Sequence, residues 1–487
     1  MDSARSDSAG SPIAARGRFA GFTRRDVLRV GSVSVAASAL PGLTLGAPDS
    51  PRPTRTAARA DSVIYLWMGG GVTHIDSFDP KPEAPQEIRG ELTAISTVLP
   101  GVQFCETMPQ LARIADRLAV VRTFSHDSND HLLSQVYTLS GRKVGPAELF
   151  THPNIGSIVS HLLGPRNGLP GYIAVPGITR PGPPPHNLFV GGWLGNQYAP
   201  FSLGGQPDQP DFTQGPNLAD PAVRMDEDLN PKELSFPADI TVGRLSRRAN
   251  LRAQLDEALR GAEQSGLLAG LEGHYDSALH LLTAENLRDA FDVTREPDAV
   301  RDAYGRTKIG GRCLTARRLV EAGARYVMVD YGYDPDYGNL WDNHNAPSQN
   351  HPHISKMCRR GYHVAGIDKA FAALITDLDE RGLLDRTLVV FLTEFGRTPK
   401  INDRGGRDHW GACGSLFFTG AGTRVGQVIG ESDRQAAYPV TRGYSPADVA
   451  ATIYHALGLE PETRVYDREN RPVPLLDHGE PIAEVLA

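Results

Sequence analysis

The chain has 487 residues, of which 40% are hydrophobic, with 51 glycines and 37 prolines. This length can bury a large core, and the glycine and proline content indicates a loop-rich domain with an insertion rather than a helical bundle. The net charge is -7, without a basic run after the N-terminal region, so a nucleic-acid partner is not expected. Four widely spaced cysteines lack the CxxC pair of a zinc site and are interpreted as scattered thiols, with a disulfide as the alternative.

The N-terminal segment has the pattern of an export leader. The motif TRRDVL at 23–28 precedes an apolar, Ala/Ser-rich stretch at 30–46. That stretch is interrupted by small and polar residues and is shorter than the roughly 20 residues that a spanning helix needs. Residues 1–46 resemble a twin-arginine signal, and 47–60 read as a linker. We therefore expect a partner in the twin-arginine export machinery, a periplasmic or cell-surface location and no integral membrane segment in the mature chain.

Strand patterns alternate with helical patterns along the remaining chain. Apolar runs predict strands at 62–68, 119–121, 324–330, 388–392 and 415–419. Helical periodicity is present at 108–118, at 307–322, within HVAGIDKAFAALITDLDERGLLDRT and after Ser445-Pro446. This alternation predicts an α/β fold with a doubly wound, mostly parallel sheet. We assign one domain to 61–487, with a cap or insertion at about 167–300 where Gly/Pro-rich and charged helical segments follow each other.

Side chains able to bind a metal follow three of the predicted strands. They are His74 and Asp76 after the first strand, Asp342 and His344 after the middle one, and Glu394 with Asp408 and His409 after the last. In an open α/β sheet, ligands collect at the carboxyl ends of the strands, so these loops can converge. Mixed carboxylates and imidazoles suit Zn²⁺, Mn²⁺ or Fe rather than Ca²⁺. The alternative for each residue is a solvated loop side chain or a satisfied partner in the core.

Several longer motifs resemble known families. The segments GIDKAFAALITDLDERGLLDRTLVVFLTEFGRTP, RDHWGACGSLFFTGAGTRVG and SPADVAATIYHALGLEP resemble the C-terminal half of the sulfatase and alkaline phosphatase superfamily. GGGVTHIDSFDPKP, TEFGRTP and GRDHW resemble the exported DUF1501 family, a branch of that superfamily, over nearly all of the chain after residue 61. The resemblance implies an alkaline phosphatase-like fold. It also implies a metal-dependent hydrolase that acts on phosphate or sulfate esters of a small molecule or a polysaccharide.

The resemblance also implies one intact metal site. Asp342 and His344 match the acid and the imidazole of the superfamily's first metal, and His409 matches the later histidine of that metal. We therefore expect a divalent cofactor, Zn or Mn, as one or two ions.

The second metal site of the superfamily is altered in this sequence. Glu394 stands where the superfamily has an aspartate, but the histidine that should follow is Phe395, which cannot coordinate a metal. Trp67-Met68-Gly69 replaces the acid expected at the end of the first strand, and His74 with Asp76 could reach the same place. Binding of a second ion would require these rerouted ligands.

The position of the superfamily's nucleophile is also altered. The segment MPQLARIADRLAVVRTFSHDSNDHLLSQVYTLSGR is similar to the sulfatase segment that ends in a Leu-Thr-Gly-Arg-like motif, and the alignment places His131 at the nucleophile. A formylglycine sulfatase is disfavoured because the Cys-x-Pro-x-Arg motif is absent. His131 could attack, bind the metal or act as a general base, and Ser125 or Thr123 could instead supply a hydroxyl.

Two arginines are candidates to hold the anionic oxygens of an ester. They are Arg122, before the nucleophile loop, and Arg397, just after Glu394, because guanidinium groups bind such oxygens in bidentate fashion. The altered second-metal site favours a different function, a non-catalytic periplasmic or surface protein that binds carbohydrate or an anion. A structural envelope protein is a third hypothesis and would have no converging site.

Overall fold

The apolar runs of the sequence form strands in the computed structural model, which describes residues 57–177, 188–202, 289–334, 337–345, 349, 351–460 and 463–486. The predicted leader, nearly all of the linker and most of the predicted cap lie outside these residues. The strands are β1 (Ser62–Trp67), β2 (Ala94–Ser96), β3 (Gln103–Cys105), β4 (Ala119–Phe124), β5 (Ile173–Val175), β6 (Phe201–Ser202), β7 (Tyr326–Asp330), β8 (Tyr333–Asp334), β9 (Gly338–Asn339), β10 (Thr387–Leu392), β11 (Gly396–Arg397), β12 (His409–Trp410), β13 (Gly414–Thr419), β14 (Gln427–Ile429), β15 (Arg464–Tyr466) and β16 (Pro472–Pro474).

The helices of the described residues lie mainly between the strands. They are α1 (Gln86–Arg89), α2 (Pro109–Arg113), α3 (His131–Ser140), α4 (Ile155–Leu163), α5 (Asp298–Tyr304), α6 (Lys308–Ala322), α7 (Ile354–Cys358), α8 (Val364–Glu380) and α9 (Pro446–Ala456). None of the helices in this part of the chain is long and apolar enough to cross a membrane.

Eight strands form the central sheet in the order β14-β4-β13-β10-β1-β7-β5-β6. All neighbouring pairs are parallel except the two that β13 makes with β10 and β4. Tyr65 of β1 lies between Val390 of β10 and Met328 of β7. The predicted α/β fold with a mostly parallel sheet is therefore confirmed. Strands β5 and β6, from the region assigned to the cap, form one edge of this sheet.

The core lies on both faces of the sheet, which explains why the central strands are apolar throughout. Ile64 and Phe391 contribute to the cluster of buried side chains that includes α8, while Tyr65 and Val390 contribute to the cluster that includes α9. Successive side chains of a strand point to opposite faces, so each strand supplies both clusters. The four cysteines are free and buried, which confirms their interpretation as scattered thiols.

Side chains at the helix ends explain where several helices begin. Ser445 caps α9 by accepting a hydrogen bond from the backbone N–H of Asp448, with Pro446 in the first turn, as the sequence predicts. The helix predicted at 108–118 is divided into α2 and a 3₁₀ turn, because Ile114 leaves helical dihedral angles. Helix α3 was not predicted. Asp130 caps its N-terminus and thereby places His131 at its first position.

Candidate metal centre

Loops that follow β1, β7 and β10 meet at the carboxyl ends of these strands. The backbone N–H of Gly70, after β1, donates to both carboxylate oxygens of Glu394, at 2.8 and 2.7 Å. Arg397 donates to the carbonyl oxygens of Gly71 and Trp341 and to Asp342 Oδ1, each at 2.9 Å. The predicted convergence of the three loops is therefore present in the structure.

Glycine is required in the loop after β1. Gly70 and Gly71 have φ angles of +129° and +90°, which residues with a side chain rarely adopt. A Cβ atom at Gly70 would lie 2.9 Å from the Cβ of Trp341, and one at Gly71 would lie 2.7 Å from the ring of Phe395. The loop can therefore approach the other two loops closely enough to bind Glu394 and Arg397 through its backbone.

Three of the candidate residues converge closely enough to bind one metal ion. His131, Asp342 and His409 each offer a ligand atom, and these atoms all lie within 4.8 Å of one another. Nε2 of His409 lies 2.9 Å and Nε2 of His131 lies 3.1 Å from Oδ1 of Asp342. We call these residues the metal triad. Two imidazoles and one carboxylate form a ligand set that suits a catalytic transition metal.

The orientation of both imidazoles fits a bound cation. Nδ1–H of His131 donates to Glu394 Oε1 at 2.7 Å, and Nδ1–H of His409 donates to the carbonyl oxygen of Asn129 at 3.0 Å. In a neutral ring the other nitrogen, Nε2, then carries a lone pair, which here faces a carboxylate oxygen. Two acceptors facing each other need a proton or a cation between them. Metal-binding histidines have this arrangement, with the second ring nitrogen held by a carboxylate or a carbonyl group.

Charges within the metal triad determine its protonation when no cation is bound. Burial opposes protonation of His131, but the carboxylates of Asp342 and Glu394 outweigh it and raise the pKa of His131. Burial lowers the pKa of His409. Burial also disfavours the charged form of Asp342, yet the neighbouring histidines, chiefly His131, hold its pKa well below the usual value. The proton on His131 Nε2 lacks an acceptor in hydrogen-bonding geometry, so a cation can replace it.

Glu394 lies behind His131, where it orients the ring. Its side chain is fully buried, and besides Gly70 and His131 it accepts a hydrogen bond from Gln135 Nε2 at 2.9 Å. The sequence suggests Glu394 as a metal ligand, whereas the structure places its oxygens against these donors and outside the metal triad. Gln135 follows His131 by one turn of α3, so the same helix supplies a ligand and a partner for Glu394.

Phe395 packs against both imidazoles of the metal triad. Its ring centroid lies 4.9 Å from that of His409 and 5.0 Å from that of His131, and the side chain is fully buried. Strand β11 also pairs with β12, which sets Arg397 opposite His409. Phe395 therefore restricts the positions of both imidazoles of the metal triad.

Two further histidines lie near Asp342. Nε2 of His344 is 3.4 Å from Asp342 Oδ2, the oxygen that faces away from the metal triad, and is also 3.4 Å from Gln349 Nε2. His351 was not predicted, although it belongs to the His-rich segment after β7. Burial lowers the pKa of His351 to about 4, and neither ring nitrogen has a hydrogen-bond partner in the part of the chain that the structure describes.

The structure pairs His74 and Asp76 with other groups. Nε2–H of His74 donates to the carbonyl oxygen of Ala436 at 2.8 Å, and the ring is buried. Asp76 accepts two hydrogen bonds from the buried guanidinium of Arg407, at 2.8 and 3.1 Å. The structure therefore does not show these two residues directed at a second metal, because both side chains are held by their partners in the packing beneath the loops.

The candidate catalytic arginines have other partners, and the candidate hydroxyl groups lie beside other loops. The guanidinium of Arg397 is occupied by backbone carbonyl groups and Asp342, and Arg122 donates to the carbonyl oxygen of Gln103 at 2.7 Å. Ser125 lies beside Gly443, and Thr123 beside Gly430. Among the described residues, no serine or threonine hydroxyl hydrogen-bonds any member of the metal triad.

Comparison with solved structures gives matches of low sequence identity. A phosphonate monoester hydrolase from Silicibacter pomeroyi is 10% identical, with a TM-score of 0.37 and coverage of 87% of this chain and 76% of that chain. The C-terminal periplasmic domain of EcEptC from Escherichia coli, in complex with Zn, is 12% identical, with a TM-score of 0.34 and coverage of 92% and 100%. Alkaline phosphatase from the Antarctic bacterium TAB5 is 11% identical, with a TM-score of 0.33 and coverage of 83% and 100%. At these TM-scores the matches do not bear on function.

Comparison of the sequence with protein-family models identifies the family of this chain. No curated protein matches the chain in sequence. The model of DUF1501, a family described as a protein of unknown function, matches residues 60–486. This match begins where the predicted linker ends, and it includes the motifs GGGVTHIDSFDPKP, TEFGRTP and GRDHW. The chain belongs to the DUF1501 family.

Proposed function

We propose that the protein is an exported, metal-dependent hydrolase of phosphate or sulfate esters. The observation that carries the proposal is the metal triad, in which two Nε2 atoms and one carboxylate oxygen converge while each Nδ1–H is held by a separate acceptor. Such a set suits Zn²⁺ or Mn²⁺, and three protein ligands leave a coordination position open for a reactant. The twin-arginine pattern at 1–46 supports export.

Some residues of the site would bind the cation, and others orient the residues that bind it. When bound, the cation would polarise an ester oxygen and lower the pKa of a water molecule. His131 and His409 would hold it through Nε2, and Asp342 would hold it through Oδ1. Arg397 donates to the same oxygen of Asp342 and so fixes the carboxylate, while Glu394 keeps the proton of His131 on Nδ1. Each group therefore has its position before the substrate binds.

Water is the attacking group that this arrangement favours. Both ring nitrogens of His131 are directed at carboxylates, so His131 serves as a ligand and not as a nucleophile. No serine or threonine hydroxyl in the described part of the chain bonds the metal triad, which favours water as the nucleophile. We assign protonation of the leaving oxygen to His344, which is partly exposed and lies 3.4 Å from Asp342 Oδ2.

A second candidate function is binding of an anion or a carbohydrate without turnover. Phe395 occupies the position of a second-metal histidine, and Arg122 and Arg397 donate to groups of the protein itself, which favours this alternative. It differs from the hydrolase in one measurable respect, because the metal would bind but no ester would be cleaved.

The first experiment measures the metal content of the purified mature protein by mass spectrometry, beside His409→Ala and the control His455→Ala. His455 lies in the last turn of α9, and among the described residues no hydrogen bond or ion pair joins it to the metal triad. We expect close to one ion per chain in the wild type and the control, and loss of the ion in H409A. Absence of metal after reconstitution with Zn²⁺ or Mn²⁺ would refute the proposal. Cleavage of p-nitrophenyl phosphate or sulfate by the loaded protein supports the hydrolase, and metal without cleavage of any ester supports the binding protein.

A further inference from the structure

A third arginine contacts the loop that carries Asp342, and its guanidinium has no carboxylate partner among the described residues. Arg404 is exposed in the loop between β11 and β12, and it makes no ion pair with the described residues. Its Nε donates to the carbonyl oxygen of Asn345 at 2.8 Å, and its Nη2 donates to that of His344 at 3.5 Å. Both carbonyl groups belong to the loop that carries Asp342.

The remaining donors of Arg404 form an open edge. A guanidinium group has five N–H donors in a planar fork. Nε and one N–H of Nη2 share the edge that is turned to the two carbonyl groups. Nη1 and the second N–H of Nη2 form the other edge, for which the described residues provide no acceptor. This is the geometry in which arginine binds a carboxylate, sulfate or phosphate with two parallel hydrogen bonds.

Neighbouring residues fix Arg404 before any ligand binds. Asn345 Nδ2 donates to the carbonyl oxygen of Arg404 at 2.7 Å, and Asn402 Nδ2 donates to that of His344 at 2.9 Å. A Cβ atom at Gly406 would collide with the carbonyl group of Asn343, so the two loops are in direct contact. A donor held in this way loses little conformational freedom when it binds an anion.

We propose that Arg404 binds a second anionic group of the substrate, separate from the ester that reacts. This inference rests on the proposed function. Arg404 contacts the backbone carbonyl of His344, whose imidazole lies 3.4 Å from Asp342 Oδ2, so an anion on Arg404 would lie next to the loop that carries this ligand. Arg397 does not take this role because its guanidinium donates to backbone carbonyl groups and to Asp342, and Arg122 is bound instead by the carbonyl group of Gln103 and by Asp79. The substrate class is a phosphate or sulfate ester whose alcohol part carries a further phosphate, sulfate or carboxylate group, as in a multiply charged sugar.

The test compares two sugar phosphates that differ in a single anionic group. Binding of fructose 6-phosphate and fructose 1,6-bisphosphate to the zinc-loaded protein is measured by calorimetry. The wild type should bind the bisphosphate about tenfold more tightly, beyond the statistical gain of two phosphates, because charge-assisted bidentate bonds are strong. Arg404→Gln should lose this preference without a change in affinity for the monophosphate. Arg404→Lys should retain part of it, since a lysine keeps the charge but not the fork.

Arg464→Gln is the matched control, because Arg464 is an exposed arginine on β15, outside the loops of the site. The Arg464→Gln variant should retain the preference for the bisphosphate. In both this variant and the wild type, the preference should become smaller as the salt concentration rises. If the monophosphate binds only in the presence of zinc but the bisphosphate binds no better, or if R404Q keeps the preference, the inference is overturned and the proposed function stands. If neither compound binds in a zinc-dependent manner, both are overturned.

Discussion

Replacing Glu394 with glutamine tests whether this residue orients a metal ligand. In the wild type, both oxygens accept from the N–H of Gly70, and Oε1 also accepts from Nδ1 of His131. A glutamine has one amide oxygen, so its NH₂ group would face either the Gly70 N–H or the His131 N–H, donor against donor. In either orientation His131 loses the charged carboxylate that keeps its proton on Nδ1 and its lone pair on Nε2.

The structure sets the size of the expected effect. Loss of a residue that hydrogen-bonds a metal ligand typically weakens metal binding by roughly 10- to 100-fold, which corresponds to about 1.4–2.7 kcal/mol of binding free energy. Glu394 is fully buried, so the donor left unpaired in E394Q should also lower the free energy of unfolding by about 1–3 kcal/mol. Gln135→Leu removes a different donor to Glu394 but leaves the bond to His131. It should therefore reduce stability while changing the metal affinity less.

The assay is competition for Zn²⁺ against a chromophoric chelator at fixed pH, with urea unfolding of the metal-free proteins measured in parallel. The reasoning predicts a large loss of zinc affinity in E394Q and a smaller one in Q135L. An unchanged zinc affinity in an E394Q protein that is folded would refute the orienting role of Glu394. Equal losses in both variants would point to a general loosening of α3 instead.

Three further predictions concern residues around the site. Asp76→Asn should lower the free energy of unfolding, measured in urea, by about 3–5 kcal/mol, because it breaks a buried ion pair with Arg407. The metal content should not change, and a loss of metal would indicate that Asp76 is a ligand. Burial raises the pKa of Asp368 to about 7, so the free energy of unfolding should fall as pH rises from about 4 to about 7. If Asp368→Asn shows the same pH dependence of the unfolding free energy as the wild type, this prediction is contradicted. Phe395→His should still bind one ion per chain, since the donors around Glu394 remain; two ions by mass spectrometry would contradict this.

The central sheet could be predicted because its strands are buried on both faces. The runs at 62–68 and 388–392 correspond to β1 (Ser62–Trp67) and β10 (Thr387–Leu392) within one residue. The antiparallel direction of β13 could not be predicted, because an antiparallel strand covered on both faces has the same apolar pattern as a parallel one. Direction depends on the connections, and in this chain these are loops without a periodic pattern.

The parts of the candidate site that consist of characteristic side chains could be predicted from the sequence, whereas the parts that depend on backbone groups or on pairing could not. Asp342 and His409 match the superfamily's motif and form part of the metal triad. Asp76 has the same residue type and the same place after a strand, but it pairs with Arg407, and spacing cannot distinguish a ligand from an ion-pair partner. The carbonyl group of Asn129, which holds His409, has no signature in the sequence because every residue has a carbonyl group.

Two residues that the sequence analysis singles out, His131 and Phe395, are in contact in the structure. The alignment places His131 at the position of the nucleophile and Phe395 at the position of a second-metal histidine, and their rings are in contact, with centroids 5.0 Å apart. His131 also donates to Oε1 of Glu394, and the N–H of Gly70 donates to both oxygens, so both carboxylate oxygens are already hydrogen-bonded. A phenyl ring at 395 fills the adjacent space without competing for either imidazole. The metal site that we propose is therefore a single site of two imidazoles and a carboxylate, with the phenyl ring of Phe395 packed against both imidazoles.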